Sequence, residues 1–128
     1  MLKKTVAIIG ATSDRTKYGN KSVRAHLSQG YEVYPINPKG GQIEGLQVYK
    51  SVADVPVERL DRVSLYVPPT IGMKLLEEIA AKGCDELWLN PGSENEELVA
   101  RARELGFDPI LACSIVSVGV SPQELGDS

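Results

Sequence analysis

A chain of 128 residues with 42% hydrophobic and 24% charged residues is long enough to bury its own core as one domain. Its formal charge of −3 excludes general nucleic-acid binding, which needs a basic surface, and its two cysteines, Cys84 and Cys113, fit neither a disulfide framework nor a zinc pattern. No apolar run approaches the roughly 20 residues of a membrane span, so no membrane partner is expected. Met1 leads almost directly into a strand-like run and leaves no room for a leader peptide, which predicts a cytoplasmic protein.

Short apolar runs alternate with segments of helical period, the pattern of an α/β domain built on a parallel sheet. Thr5 to Gly10 reads as the first strand, apolar on both faces, as a strand covered by helices on both sides must be. A helix is expected from Asn20 to Gln29, with Asn20 as its N-cap and Gly30 closing it. Tyr31 to Asn37 is the second strand, and its Pro35 is awkward because proline donates nothing to a ladder. Pro38 to Pro56 is turn-rich, with one helical turn over Ser51 to Val55. Asp61 to Val67 is the third strand, ended by Pro68 and Pro69. Ile71 to Lys82 carries a helical face of Ile71, Leu75, Leu76, Ile79 and Ala80, closed by Gly83. Asp85 to Asn90 is the fourth strand, and Ser93 with Glu96 reads as a capping box for the next helix. A fifth strand is placed within Asp108 to Val120. Residues 1–120 form the expected domain, and residues 121–128 a frayed tail.

In an open parallel sheet the ligand lies beyond the carboxyl ends of the strands, where the strand order reverses. The loops there carry the candidate site. After the first strand come Gly10, Thr12, Ser13, Asp14, Arg15, Lys17 and Lys21, a tight turn with hydroxyls and cations ahead of a helix N-terminus. That is a setting for phosphate, although the same residues also make a solvated loop. After the second strand come Asn37, Pro38 and Lys39, where NAD-binding domains usually place an acid. A cation there suits a phosphorylated ribose, as found in coenzyme A or NADP, while the same residues are also good turn chemistry. Tyr66, Val67 and Pro68 offer a rigid carbon shelf, and Asn90, Pro91 and Gly92 a turn open to close backbone approach.

No catalytic set emerges. His26, the one histidine, falls inside the first helix and reads as a surface residue of it. Cys113 reaches the mouth of the sheet as a thiol that faces the ligand or lies inert, Cys84 has no special setting, and Trp88 reads as core.

Taken in order, "VAIIGATSDRTKYGNKS", "YPINPKGG", "GLQVYKSVADVP", "SLYVPP" and "LWLNPGSEN" resemble the CoA-binding domain family over nearly the whole chain. That family includes small stand-alone proteins and the N-terminal domain of the succinyl-CoA synthetase α subunit. The resemblance implies a Rossmann-like five-stranded parallel sheet with helices on both faces, holding coenzyme A. It implies a phosphate loop at Thr12, Ser13, Asp14 and Arg15, and a cation at Lys39. It also implies an adenine-side shelf at Tyr66, Val67 and Pro68, and a turn at Asn90, Pro91 and Gly92. The synthetases carry a phosphorylated histidine in a further domain, so their activity does not carry over. Many stand-alone members have a Cys- and His-containing stretch after the fifth strand; here "ACSIVSVG" keeps Cys113 and has no histidine.

The expectation is a binding module for coenzyme A or an acyl-CoA, without catalysis of its own and without a metal. Two rivals stand beside it: a small NADP-dependent reductase, and an interaction or regulatory subunit with a vestigial nucleotide site. A homodimer or a partner protein is left open.

Overall fold

The computed structural model describes residues 3–127. In chain order the elements begin with β1 (Thr5–Ile9), α1 (Tyr18–Ser28) and β2 (Glu32–Ile36). A small antiparallel hairpin follows, β3 (Gln42–Ile43) with β4 (Leu46–Gln47), then a 3-10 turn at Val52–Asp54. Next come β5 (Leu60–Leu65), α2 (Pro69–Lys82), β6 (Cys84–Leu89) and α3 (Glu96–Glu104). A short α4 (Ser114–Ser117) and a 3-10 turn at Pro122–Leu125 complete the chain. Among the described residues no helix is long and apolar enough to cross a membrane.

The main sheet is parallel and runs β2-β1-β5-β6. Val6 and Ile8 of β1 face Val23 of α1 and Val33 of β2. Ala7 and Ile9 face the other way, into a core shared with Leu76 and Ile79 of α2 and Leu98 and Ala102 of α3. Helices therefore cover both faces, which is why the first strand is apolar at every position. From β1 the chain goes first to β2 on one side, then returns to β5 on the other. That reversal opens a crevice at the carboxyl ends of β1 and β5, where the Tyr66 N–H donates to the Ile9 carbonyl at 2.8 Å.

Pro35 sits inside β2, an edge strand, and is tolerated because its nitrogen faces outward. Its carbonyl accepts from the Tyr49 N–H at 2.9 Å on that outer side. The hairpin turn carries Glu44 at φ 51° and Gly45 at φ 78°, both left-handed, as tight hairpin turns require.

Several expectations are corrected. The fifth strand shrinks to a single bridge between Ile110 and β6, with the Leu89 N–H on the Ile110 carbonyl at 2.9 Å. Pro109 lacks a donor, and the Ser114 N–H is captured by Asn90 Oδ1 at 2.8 Å, so the chain turns into α4 instead of extending. α1 begins at Tyr18, two residues before Asn20, and Lys17 occupies the N-cap without a side-chain bond. α3 is capped by Asn95, whose Oδ1 accepts from the Leu98 N–H at 2.8 Å; Ser93 is buried in the preceding turn, its N–H on the Asn90 carbonyl. The segment after Val120 is held, not frayed: Arg24 donates to the Leu125 and Gly126 carbonyls, and Lys21 pairs with Asp127 at 2.9 Å. Ser128 lies outside the described residues.

Candidate functional site

The crevice widens into a cavity of about 710 Å³ over the carboxyl ends of the strands. Its floor is built by close approaches that only glycine permits. Gly10 has φ +90°, and a Cβ there would lie 2.9 Å from the Tyr66 carbonyl oxygen. Gly19, in the first turn of α1, packs so tightly that a Cβ would strike the Gly10 carbonyl oxygen. The loop between them is folded by its own side chains. The Thr12 hydroxyl accepts from the Asp14 N–H, and Asp14 Oδ1 accepts from both the N–H and the hydroxyl of Thr16. Those bonds from Thr16 hold the Asp14 carboxyl below its usual range.

Asn20, fully buried, pins this loop to the helix. Its Nδ2 donates to the Thr12 carbonyl at 2.9 Å and to Glu44 at 3.1 Å, while its Oδ1 accepts from Arg24 at 2.7 Å. Asn20 is thereby unavailable as a cap. The helix opens on the cavity with no side-chain cap and no acidic residue in its first turn. The first bonded N–H of the helix is that of Asn20, on the Lys17 carbonyl, so the N–H groups of Tyr18 and Gly19 ahead of it have no intrahelical acceptor, and an anion placed there meets donors and the positive end of the dipole.

The wall after β2 is set by Asn37. Its Nδ2 donates to the Ala11 carbonyl at 2.8 Å, and its Oδ1 accepts from the Lys39 N–H at 2.9 Å, which fixes the turn that carries the exposed Lys39 to the rim. Opposite lie Tyr66, Val67 and Pro68, with Pro91 and Gly92 beyond them. Asn90 underlies this side as a buried hub: Nδ2 donates to Ser64 Oγ and to the Leu65 carbonyl, and Oδ1 accepts from Ser114. Tyr66 Oη meets Ser114 Oγ at 2.9 Å, and burial pushes its phenol up from the usual value.

Of the residues singled out in the sequence, Gly10, Thr12, Lys17, Asn37, Lys39, Tyr66, Val67, Pro68, Pro91 and Gly92 come together around this cavity. The others stand apart from its lining. Ser13 and Pro38 are exposed on their turns, and Asp14 is spent on the loop's internal bonds. Arg15 lies 3.7 Å from Glu44, and Lys21 is directed to Asp127. Asn90 is buried beneath the cavity floor. Ala11, Thr16 and Ser93, from loops expected at the mouth, also line it, and so do Tyr18 and Gly19, which the sequence did not single out. Gly19 carried a signal, a glycine nine positions after Gly10, obscured by the spacing of the common three-glycine fingerprint.

Potential catalysts are engaged elsewhere. His26 is fully buried, contrary to the surface position expected of it. Its Nδ1 donates to the Ser22 carbonyl at 2.8 Å, and its Nε2 accepts from Arg62 at 3.3 Å. Burial, aided by the Arg62 charge and opposed by the Ser22 bond, lowers its pKa to about 4. The Cys84 thiol is buried and pushed up to about 12. Cys113 lines a smaller cavity of about 240 Å³ that adjoins the main one.

The family model described as "CoA binding domain" matches residues 4–119. The chain is 34% identical to the alpha subunit of acetate–CoA ligase (ADP-forming) I from Pyrococcus furiosus, an alignment covering 95% of this chain and 29% of that one. It is 40% identical to the acetate–CoA ligase (ADP-forming) of Methanocaldococcus jannaschii over 62% of this chain and 11% of that one. The chain thus spans under a third of the length of these curated relatives. Among solved structures, a conserved hypothetical protein from Pyrococcus furiosus superposes with a TM-score of 0.81 at 34% identity, covering 91% of this chain and 99% of that one. A dinucleotide-forming acetyl-coenzyme A synthetase from Ca. Korarchaeum cryptofilum, in complex with phosphate and ADP, gives 0.72 at 31% identity, covering 83% of this chain and 25% of that one. By the match along nearly its whole length, the chain belongs to the CoA-binding domain family.

Proposed function

We propose that this chain is a binding module for coenzyme A or its thioesters, holding the ligand across the carboxyl ends of the sheet without performing chemistry on it. One observation carries the reading. The cavity sets an uncapped helix N-terminus, Lys17 and Lys39 around one region, a carbon shelf at Tyr66 to Pro68 opposite, and no carboxylate anywhere in its lining. Its volume of about 710 Å³ lies within the roughly 300–1,000 Å³ of whole-ligand pockets.

Residues and ligand fit by chemistry. The backbone N–H groups at the start of α1, with the Thr12 hydroxyl and Lys17, suit the pyrophosphate. Lys39 suits the ribose phosphate, and Tyr66, Val67 and Pro68 suit the adenine. Gly10 and Gly19 keep the floor low enough for the backbone to approach. A free ribose diol would want a carboxylate acceptor, which favours a phosphorylated ribose over NAD. When bound, coenzyme A supplies a thiol that carries acyl groups as thioesters. The chain's own residues bind and orient it, and presentation to a partner protein fits relatives in which this domain is part of a longer ligase.

The test is calorimetric titration of coenzyme A and dephospho-coenzyme A against the parent and Lys39→Ala. A partly desolvated charge-assisted contact contributes about 1.5–3 kcal/mol, so the variant should lose roughly tenfold to a hundredfold for coenzyme A and little for the dephospho form. Equal losses for both ligands would remove Lys39 from ribose-phosphate recognition. No binding of coenzyme A to the parent would overturn the reading itself.

A further inference from the structure

We propose that the smaller cavity beside the main one receives the acyl end of a coenzyme A thioester, and that it selects short, uncharged acyl groups. The inference rests on the coenzyme A reading above and names the substrate class for that same site. The smaller cavity, about 240 Å³, is lined by Tyr18, Tyr66, Asn90, Pro91, Cys113 and Pro122. It falls below the size of a whole-ligand pocket and therefore takes part of a ligand. Tyr18, Tyr66 and Pro91 wall both cavities, so the two adjoin across these side chains.

Sheet topology sets the order in which a ligand meets these walls. Lys39 follows β2 at one end of the order β2-β1-β5-β6, and Cys113 follows the Ile110 bridge outside β6 at the other. Three interstrand steps of about 4.8 Å span roughly 14 Å from β2 to β6. A ligand anchored by its ribose phosphate at Lys39 and its pyrophosphate at α1 thus directs its far, thiol-bearing end toward Cys113.

The lining decides what that end can carry. Two tyrosine rings, two prolines and a thiol present mostly carbon and sulfur. Of their polar atoms, the Asn90 amide is engaged by Ser64, Leu65 and Ser114, and the Tyr66 hydroxyl by Ser114, which leaves the exposed Tyr18 hydroxyl and the weakly polar Cys113 thiol. None of the six residues is acidic, basic or histidine. A carboxylate brought here would lose water and meet no cation of the lining, with the Tyr18 and Cys113 side chains as its unengaged donors, whereas a methylene gains about fourfold in affinity on leaving water.

Free coenzyme A, acetyl-, butyryl- and succinyl-coenzyme A are titrated calorimetrically against the parent, Cys113→Phe and Cys113→Leu, each variant first checked for a cooperative thermal transition. In the parent, butyryl-coenzyme A should bind about fifteenfold tighter than acetyl-coenzyme A, through two further methylenes, and succinyl-coenzyme A should show no gain over free coenzyme A. Filling the cavity should bring the ratio of butyryl- to free coenzyme A affinity close to one. Phenylalanine fills it most, and leucine serves should phenylalanine fail to fold. If coenzyme A binds but butyryl-coenzyme A is no tighter, or succinyl-coenzyme A gains as much, or the filled variants keep the ratio, the acyl assignment falls and the coenzyme A reading stands. If free coenzyme A does not bind the parent, that reading fails and the acyl assignment falls with it.

Discussion

The two ends of α1 show opposite treatments of polar groups. At its start, Tyr18 and Gly19 present N–H groups toward a cavity with no side-chain cap and no acid. Toward its end, His26 is fully buried with both ring nitrogens engaged, and the Arg62 that meets it is held by Glu86, by Ser117 and against the Trp88 ring at 4.6 Å. The buried end completes its own hydrogen bonding, as interiors must. The open end leaves completion to water or a ligand. Incompleteness at one end of an otherwise satisfied helix is therefore the mark that separates the site from the scaffold.

The largest expected effect lies at the open end. Gly10→Val should abolish coenzyme A binding, because its Cβ would press on the Tyr66 carbonyl while a β-branched residue is forced to φ +90°. Calorimetry on the folded variant checks it, and parent-like affinity would show that the close approach is dispensable.

At the buried end the expected effect is on stability against pH. Folded His26 protonates near pH 4 and unfolded histidine near 6.5, so on acidification the unfolded chain takes up the proton first. The contribution is complete above about pH 6.5 and is lost as pH falls toward 4, on the order of 3 kcal/mol across that window. Denaturant titrations at pH 7.5, 5.5 and 4.5 measure the slope. His26→Gln should flatten it between pH 7.5 and 5.5, where this chain's only histidine dominates the change. An unchanged slope in the variant would place the titration elsewhere.

Asn20→Ala tests the joint between the two ends. It strands the Thr12 carbonyl, Glu44 and Arg24 contacts, and should cost about 1–3 kcal/mol by denaturant unfolding. Full stability would mean the loop holds its shape without the pin. The smallest effect is reserved for Thr12→Ala, which removes one neutral donor while the backbone amides persist. Its loss in coenzyme A affinity should be about 0.5–1.5 kcal/mol, and a loss as large as that of Gly10→Val would shift the emphasis from backbone to side chain.

What was legible in the sequence follows the range of the interactions involved. The alternation of strands and helices, the two-sided β1 and the loop residues Gly10, Lys39 and Tyr66 to Pro68 rest on local pattern, and they are readable there. The hairpin was hidden because its first left-handed residue is Glu44, not Asn or Asp, and its carboxylate is held from a distance by Asn20. His26 read as a surface residue because the Arg62 that meets it comes from a strand 36 positions away. The last segment read as frayed for the same reason, since Arg24 reaches Leu125 across 101 positions. Arg15 and Lys21 read as phosphate ligands by composition, and the acids that lie beside them in the fold, Glu44 at 3.7 Å and Asp127 at 2.9 Å, arrive from other parts of the chain.

Pro35 has a consequence for how copies of this protein meet. The outward side of β2 offers no N–H at Pro35, and the Pro35 carbonyl and Asn37 N–H are already taken by Tyr49. On the far side, Ile110 occupies the Leu87 carbonyl and the Leu89 N–H of β6, and Asp85, paired with Arg59, adds charge to that edge. Neither flank presents the uninterrupted row of main-chain groups that edge-to-edge strand addition requires. Association between chains is thereby steered away from a continuous intermolecular ladder and toward side-chain surfaces, which protects a crowded solution of this protein from fibrillar growth.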